Sequence, residues 1–224
     1  MSPDDWNREA ERLYRRYQIE VVEACNLCPW AARARLAGKV ATRVVLEVEP
    51  STAPLLALID ELEADSRVEV ALLILPRLDV GPRSFDSFVA RLRDDDAARR
   101  ALGTIPFMLA AFHPEALPDV KDAERLIPFL RRTPDPTIQL VRSSAIDAVR
   151  RGTPQGTQLV DVDMLERTLE PASVPLRERI ARANLATVNG MGLDELTRTL
   201  DDIRRDREDT YRAAEGVVTP SRPA

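Results

Sequence analysis

One histidine, two cysteines and two lysines are a thin supply of reactive side chains for a chain of 224 residues, and each scarcity excludes something. Cys25 and Cys28 stand three residues apart, so they cannot form the disulfide framework of a secreted mini-protein. Together with His113 they make three soft ligands where a structural zinc site takes four. No run of about 18 apolar residues is present to cross a bilayer. The opening residues Met1-Ser2-Pro3-Asp4-Asp5-Trp6 lack the basic-then-apolar layout of a secretory signal. The expected location is therefore cytoplasmic. A net charge of -5 gives no positive field to attract nucleic acid or anionic membrane, and neither is expected as a partner. The P-loop, G-x-S-x-G and H-E-x-x-H patterns are all missing, which removes the common nucleotide, α/β-hydrolase and zinc-protease readings.

What is present is an ordinary globular composition, 44% hydrophobic and 31% charged, enough apolar side chain to build a core. Ser2 as N-cap, Pro3 at the first helical position and Asp4 and Asp5 in the first turn open a helix. Its apolar stripe runs from Trp6 through Leu13, Tyr14, Tyr17 and Val21 to Cys25. Cys28-Pro29 restarts a short helix through Leu36, capped by Gly38. Alternating apolar residues predict a strand over 40–48, a helix follows from Ser51, and an almost wholly apolar strand covers 68–75. A helix from Ser84 ends at Gly103, and a third strand over 105–112 runs into His113-Pro114. A proline-rich segment, 114–136, precedes a fourth strand over 137–141, and the pattern is helical from Asp161, with a helix-helix turn at Gly190-Met191-Gly192.

Strands alternating with helices predict an α/β fold: a layered sheet of about four mostly parallel strands with flanking helices and a helical C-terminal extension. The expected division is a core over 1–160, an extension packed on it over 161–214, and a flexible tail over 215–224. Pro76 and His113 then leave the sheet at one edge, the edge where open α/β sheets hold ligands.

His113 is the first candidate, because an imidazole at such an edge can serve as acid, base or ligand. Cys28 is the second, since a thiol at a helix N-cap is shifted toward thiolate. Cys25, on the apolar stripe, reads as a small buried hydrophobe. Arg132 and Arg142 flank the fourth strand and are candidates for holding a carboxylate or phosphate. These residues suggest a small-molecule enzyme of transferase or hydrolase type, with Cys28 as nucleophile, His113 as its proton partner and the two arginines holding an anionic substrate. A non-catalytic binding protein for an anionic ligand or partner is the alternative, and a metal site of Cys25, Cys28, His113 and Asp119 or Asp122 is a third. No cofactor fingerprint is visible.

Four short segments also form a pattern: Asn26-Leu27-Cys28-Pro29-Trp30-Ala31, Phe112-His113-Pro114, Arg132-Thr133-Pro134-Asp135-Pro136 and Leu140-Val141-Arg142. In order and spacing, over about residues 10 to 195, they resemble the uncharacterised bacterial family catalogued as domain of unknown function 1415. In that family the segments run N-L-C-P-F-A, F-H-P, N-R-S-P-x-P and L-L-R-E. The resemblance is that of a divergent member, with Arg131, Gln139 and Ser143 where the family has Asn, His and an acidic residue. It implies a site around Cys28 and His113 and no particular chemistry.

Overall fold

The computed structural model describes residues 1–28, 31–100, 105–115, 123–150 and 176–215. Helix α1, Pro3–Tyr17, begins with a capping box in which the Ser2 hydroxyl accepts from the Asp5 amide and the Asp5 carboxylate accepts from the Ser2 amide. The stripe expected as one helix to Cys25 changes pitch: Gln18–Glu23 is π-helical, and Asn26 at φ 48° closes it. Asparagine tolerates this left-handed conformation better than most side chains, so Asn26 turns the chain toward Cys28. Helix α2, Ala31–Leu36, is tied back by Arg35, whose guanidinium donates twice to Glu23, at 2.8 and 2.7 Å.

Strand β1 (Val40–Val44), helix α3 (Thr52–Ala64), strand β2 (Val70–Ile74), helix α4 (Pro82–Arg99) and strand β3 (Phe107–Phe112) follow the expected alternation. Helix α4 starts two residues before Ser84, with Pro82 in its first turn and Gly81 as cap. Within the proline-rich segment lies helix α5, Ala123–Leu130, which the lack of periodicity hid. Strand β4 (Thr137–Arg142), helix α6 (Ser143–Arg150) and the long pair α7 (Leu176–Met191) and α8 (Leu193–Glu215) complete the described elements. Gly192 makes the turn of the last pair at φ 94°.

The sheet order is β1-β2-β4-β3. Here the expectation of mostly parallel strands is corrected: β1 and β2 pair in parallel, but β4 pairs antiparallel with both β2 and β3. The reason is where the chain goes after β3. His113 leaves β3 at the exit edge and β4 begins at the same edge, Pro136 presenting its carbonyl to the Leu75 amide at 2.9 Å. A strand that starts where its neighbours end must run against them. Thr137 faces both Ile74 and Phe112 in register, so the exits of β2 and β3 flank the start of β4.

Alternation divides the core between the two faces. Leu73, Ile138, Leu140, Phe107 and Leu109 pack with Phe85, Val89 and Leu92 of α4 and Leu55 and Ile59 of α3. Leu72 and Ile74 point the other way, into a cluster with Tyr14, Tyr17, Val21, Cys25, Leu126 and Phe129, joined by Val188 of α7 and Leu196, Leu200 and Ile203 of α8. The C-terminal helices thus share the core of the sheet's second face. Arg12 and Arg16 reinforce the seam, both donating to Asp206 at 2.6–2.8 Å. No helix among the described residues is long and apolar enough to cross a membrane.

Candidate functional site at the exit edge

Two of the four sequence segments meet at the edge where β2 and β3 end. The His113 amide donates to the Arg131 carbonyl at 3.1 Å, and the Arg132 Nε donates to the Pro114 carbonyl at 3.0 Å. Thr133 and Thr137 both donate their hydroxyls to the Asp135 carbonyl, at 2.7 and 2.9 Å. These bonds fold the Thr133-Pro134-Asp135-Pro136 turn into a buried knot whose polar groups are satisfied locally.

His113 is 8% exposed and lies on the α3/α4 side, its ring 5.7 Å from that of Phe85. Nε2 donates to the Val80 carbonyl at 2.8 Å, and Nδ1 accepts from the Glu115 amide at 3.2 Å. That pair of bonds defines the neutral Nε2-H tautomer and uses the one proton and the one lone pair the ring has. Cys28 is instead near Tyr14 and Tyr17, which pack on the opposite face. The proposed proton partnership therefore finds its imidazole already committed to the backbone, on the other side of the sheet. Burial raises Tyr17 above an ordinary phenol, against the pull of the nearby Arg131, and its hydroxyl donates to the Leu130 carbonyl at 2.5 Å.

The two arginines do not share a ligand. They sit at opposite ends of β4, separated by roughly 17 Å of extended chain at about 3.3 Å per residue. Arg142 stacks on Phe107 at 4.7 Å and donates to the carbonyls of Val68, Leu62 and Asp65 at 2.6, 3.1 and 2.8 Å. It closes the end of α3 and the turn after it, a structural duty that sequence position alone did not show. Arg132 stays at the exit edge, stacked 5.4 Å from Phe129 and 3.3 Å from Asp201. With Pro114, Thr133 and Pro134 it walls a shallow cleft of about 10 Å³, the room of one water, closed from α8 by Leu200, Ile203 and Arg204.

Sequence reasoning passed over Asp135, which is 1% exposed, with Arg207 Nε at 2.7 Å and the Tyr211 hydroxyl at 2.8 Å. Burial raises its carboxyl above the ordinary value, against the opposing pull of Arg207 and Tyr211. A carboxylate between two prolines was the available signal. Cys25 is buried, and desolvation, aided by Glu195, pushes its thiol up. Neither cysteine is disulfide-bonded. Among the described residues no group of three His, Cys, Asp or Glu is placed to hold a metal, while Asp119 and Asp122 lie outside the described residues. So do Pro29, at the expected N-cap junction, Gly103 at the expected helix end, Asp161 at the expected start of the helical extension, and the tail from 216.

Fold and site together define a three-layer α/β protein with a mixed sheet and an arginine-walled cleft at the exit edge. The chain belongs to the family described as "Protein of unknown function (DUF1415)", whose model matches residues 10–168. The match takes in Cys28, His113, Arg132, Asp135 and Arg142, and stops short of α7 and α8. No curated protein and no solved structure matches the chain.

Proposed function

We propose that this chain is a cytoplasmic binding protein for a small anionic ligand, a phosphate- or carboxylate-bearing molecule held on the surface at the mouth of the exit-edge cleft, with Arg132 as its anchor. One observation carries the reading. The Arg132 guanidinium, 12% exposed, is oriented by the Pro114 carbonyl, Asp201 and the Phe129 ring while it walls the cleft, so little side-chain entropy remains to be lost when an anion arrives. Arg204 stands at the mouth, exposed and ion-paired with Glu208 at 3.0 Å. The transferase or hydrolase reading has less support, because the His113 ring nitrogens are taken by Val80 and Glu115.

Calorimetric titration with inorganic phosphate and with citrate tests the proposal. Saturable binding of either, weakened at least about tenfold (about 1.4 kcal/mol) by Arg132→Ala and unchanged by Cys28→Ser, is the expected result. Binding that survives Arg132→Ala, or no binding of either probe, refutes it.

A further inference from the structure

A second groove, apart from the exit edge, lies between α1 and the edge strand β1, where Glu11, Tyr14, Arg15 and Gln18 face Arg35 and Thr42 around a cavity of about 180 Å³. Three features separate it from ordinary surface. Tyr14 is 7% exposed, yet its hydroxyl has no hydrogen-bond partner among the described residues, whereas the neighbouring Tyr17 hydroxyl is bonded to Leu130. A buried hydroxyl left unmatched is costly, and native structures rarely keep one without a use. Burial also holds the phenol well above its ordinary value, so it stays a donor. Next, Glu11 and Arg15 stand at i and i+4 in the order that favours pairing, but neither is ion-paired among the described residues, and both line the groove. Finally, Arg35 spends its charge on Glu23 through two hydrogen bonds. The charges around the cavity without a protein partner among the described residues are therefore one carboxylate and one guanidinium, both exposed and one helical turn apart on α1.

We propose that this groove binds a free amino acid, its carboxylate held by Arg15 and the Tyr14 hydroxyl and its ammonium by Glu11. A plain anion would meet Glu11 and a plain cation would meet Arg15, so a zwitterion alone matches both ends. The cavity falls below the size of drug-like sites, as an amino acid requires. Gln18 and Thr42 are left to contact the side chain. The site does not depend on the Arg132 cleft.

The full chain is titrated by calorimetry with each of the twenty standard amino acids, and with acetate and methylammonium as single-charge probes. At least one amino acid binds at about 1 mM or tighter, and the single-charge probes bind at least about tenfold more weakly. Tyr14→Phe weakens that amino acid about fivefold, the scale of one neutral hydrogen bond, and leaves the melting temperature of the unliganded protein unchanged or raised. Arg132→Ala leaves the affinity unaltered. The proposal is overturned if no amino acid binds, if acetate binds as tightly as the best amino acid, or if Tyr14→Phe lowers the unliganded melting temperature or keeps full affinity.

Discussion

Replacing Arg207 by methionine and Asp135 by asparagine should have unequal costs, and the inequality measures what burial does to a charge. Asp135 is enclosed in the knot that starts β4, and its carboxylate meets Arg207 Nε at 2.7 Å and the Tyr211 hydroxyl at 2.8 Å. Desolvation is the largest influence on its carboxyl and raises it, so the charged form is held at a penalty that Arg207 and Tyr211 only partly offset. Arg207→Met keeps most of the stem packed on Tyr211 and takes away the cation, leaving a buried carboxylate with one hydroxyl. A loss of about 3–5 kcal/mol is expected at pH 7, the usual consequence of stripping a buried charge of its partner. Asp135→Asn removes the charge and keeps one acceptor oxygen, while the partly exposed Arg207 cation can reach water, so about 1–2 kcal/mol is expected. The pH dependence has a definite sign. In Arg207→Met the native carboxyl is raised further above its unfolded value near 3.8, so the native state holds the extra proton. Stability therefore falls as pH rises above the unfolded value and is partly recovered on going from pH 7 to pH 5. Urea denaturation followed by circular dichroism at the two pH values reads both effects. An Asp135→Asn variant as damaged as Arg207→Met, or an Arg207→Met variant with no recovery at pH 5, would refute the reasoning.

Other outcomes follow from the same geometry. His113→Phe strands the Val80 carbonyl and the Glu115 amide together, and about 2–4 kcal/mol of stability should be lost in the same urea assay. Alkylation of Cys28 by iodoacetamide should keep its pH profile in His113→Gln, because the imidazole is bonded to backbone; a profile that moves would restore the thiol-imidazole pair. Asp206 is held well below the usual carboxylate range by hydrogen bonds from Arg12, then Arg16, so the stability it adds is present above pH 4 and fades as pH falls below that. Asp206→Asn should flatten this acid limb between pH 4 and pH 2, measured by melting temperature. Arg142→Lys cannot reach the Val68, Leu62 and Asp65 carbonyls in a planar fork, and a loss of about 1–3 kcal/mol with unaltered phosphate binding is expected.

Much of the architecture was legible because the signals were local. The Ser2-Pro3 start of α1, the apolar run of β2 and the Gly190-Met191-Gly192 turn each depend on a few consecutive residues, and all three stand in the structure. The meeting of the β2 and β3 exits at one edge followed from alternation of strands and helices. Helix α5 was hidden because Pro128 sits inside its eight residues and the neighbouring prolines mask a period of 3.6. The π-helical turn after Tyr17 was hidden because its apolar spacing is the same as that of an α-helix to within one residue.

The sequence by itself determined most of the elements, the alternation of faces and the exit of the chain at Pro76 and His113 along one edge. Only the tertiary structure decided that β4 enters between β2 and β3, that the His113 nitrogens are claimed by Val80 and Glu115, and that Arg142 closes α3 while Arg132 remains at the cleft. The physical reason is range. Propensity and periodicity act within a turn or two of chain, whereas the partner of a strand or of a guanidinium is chosen by whichever distant backbone the fold brings within about 3 Å.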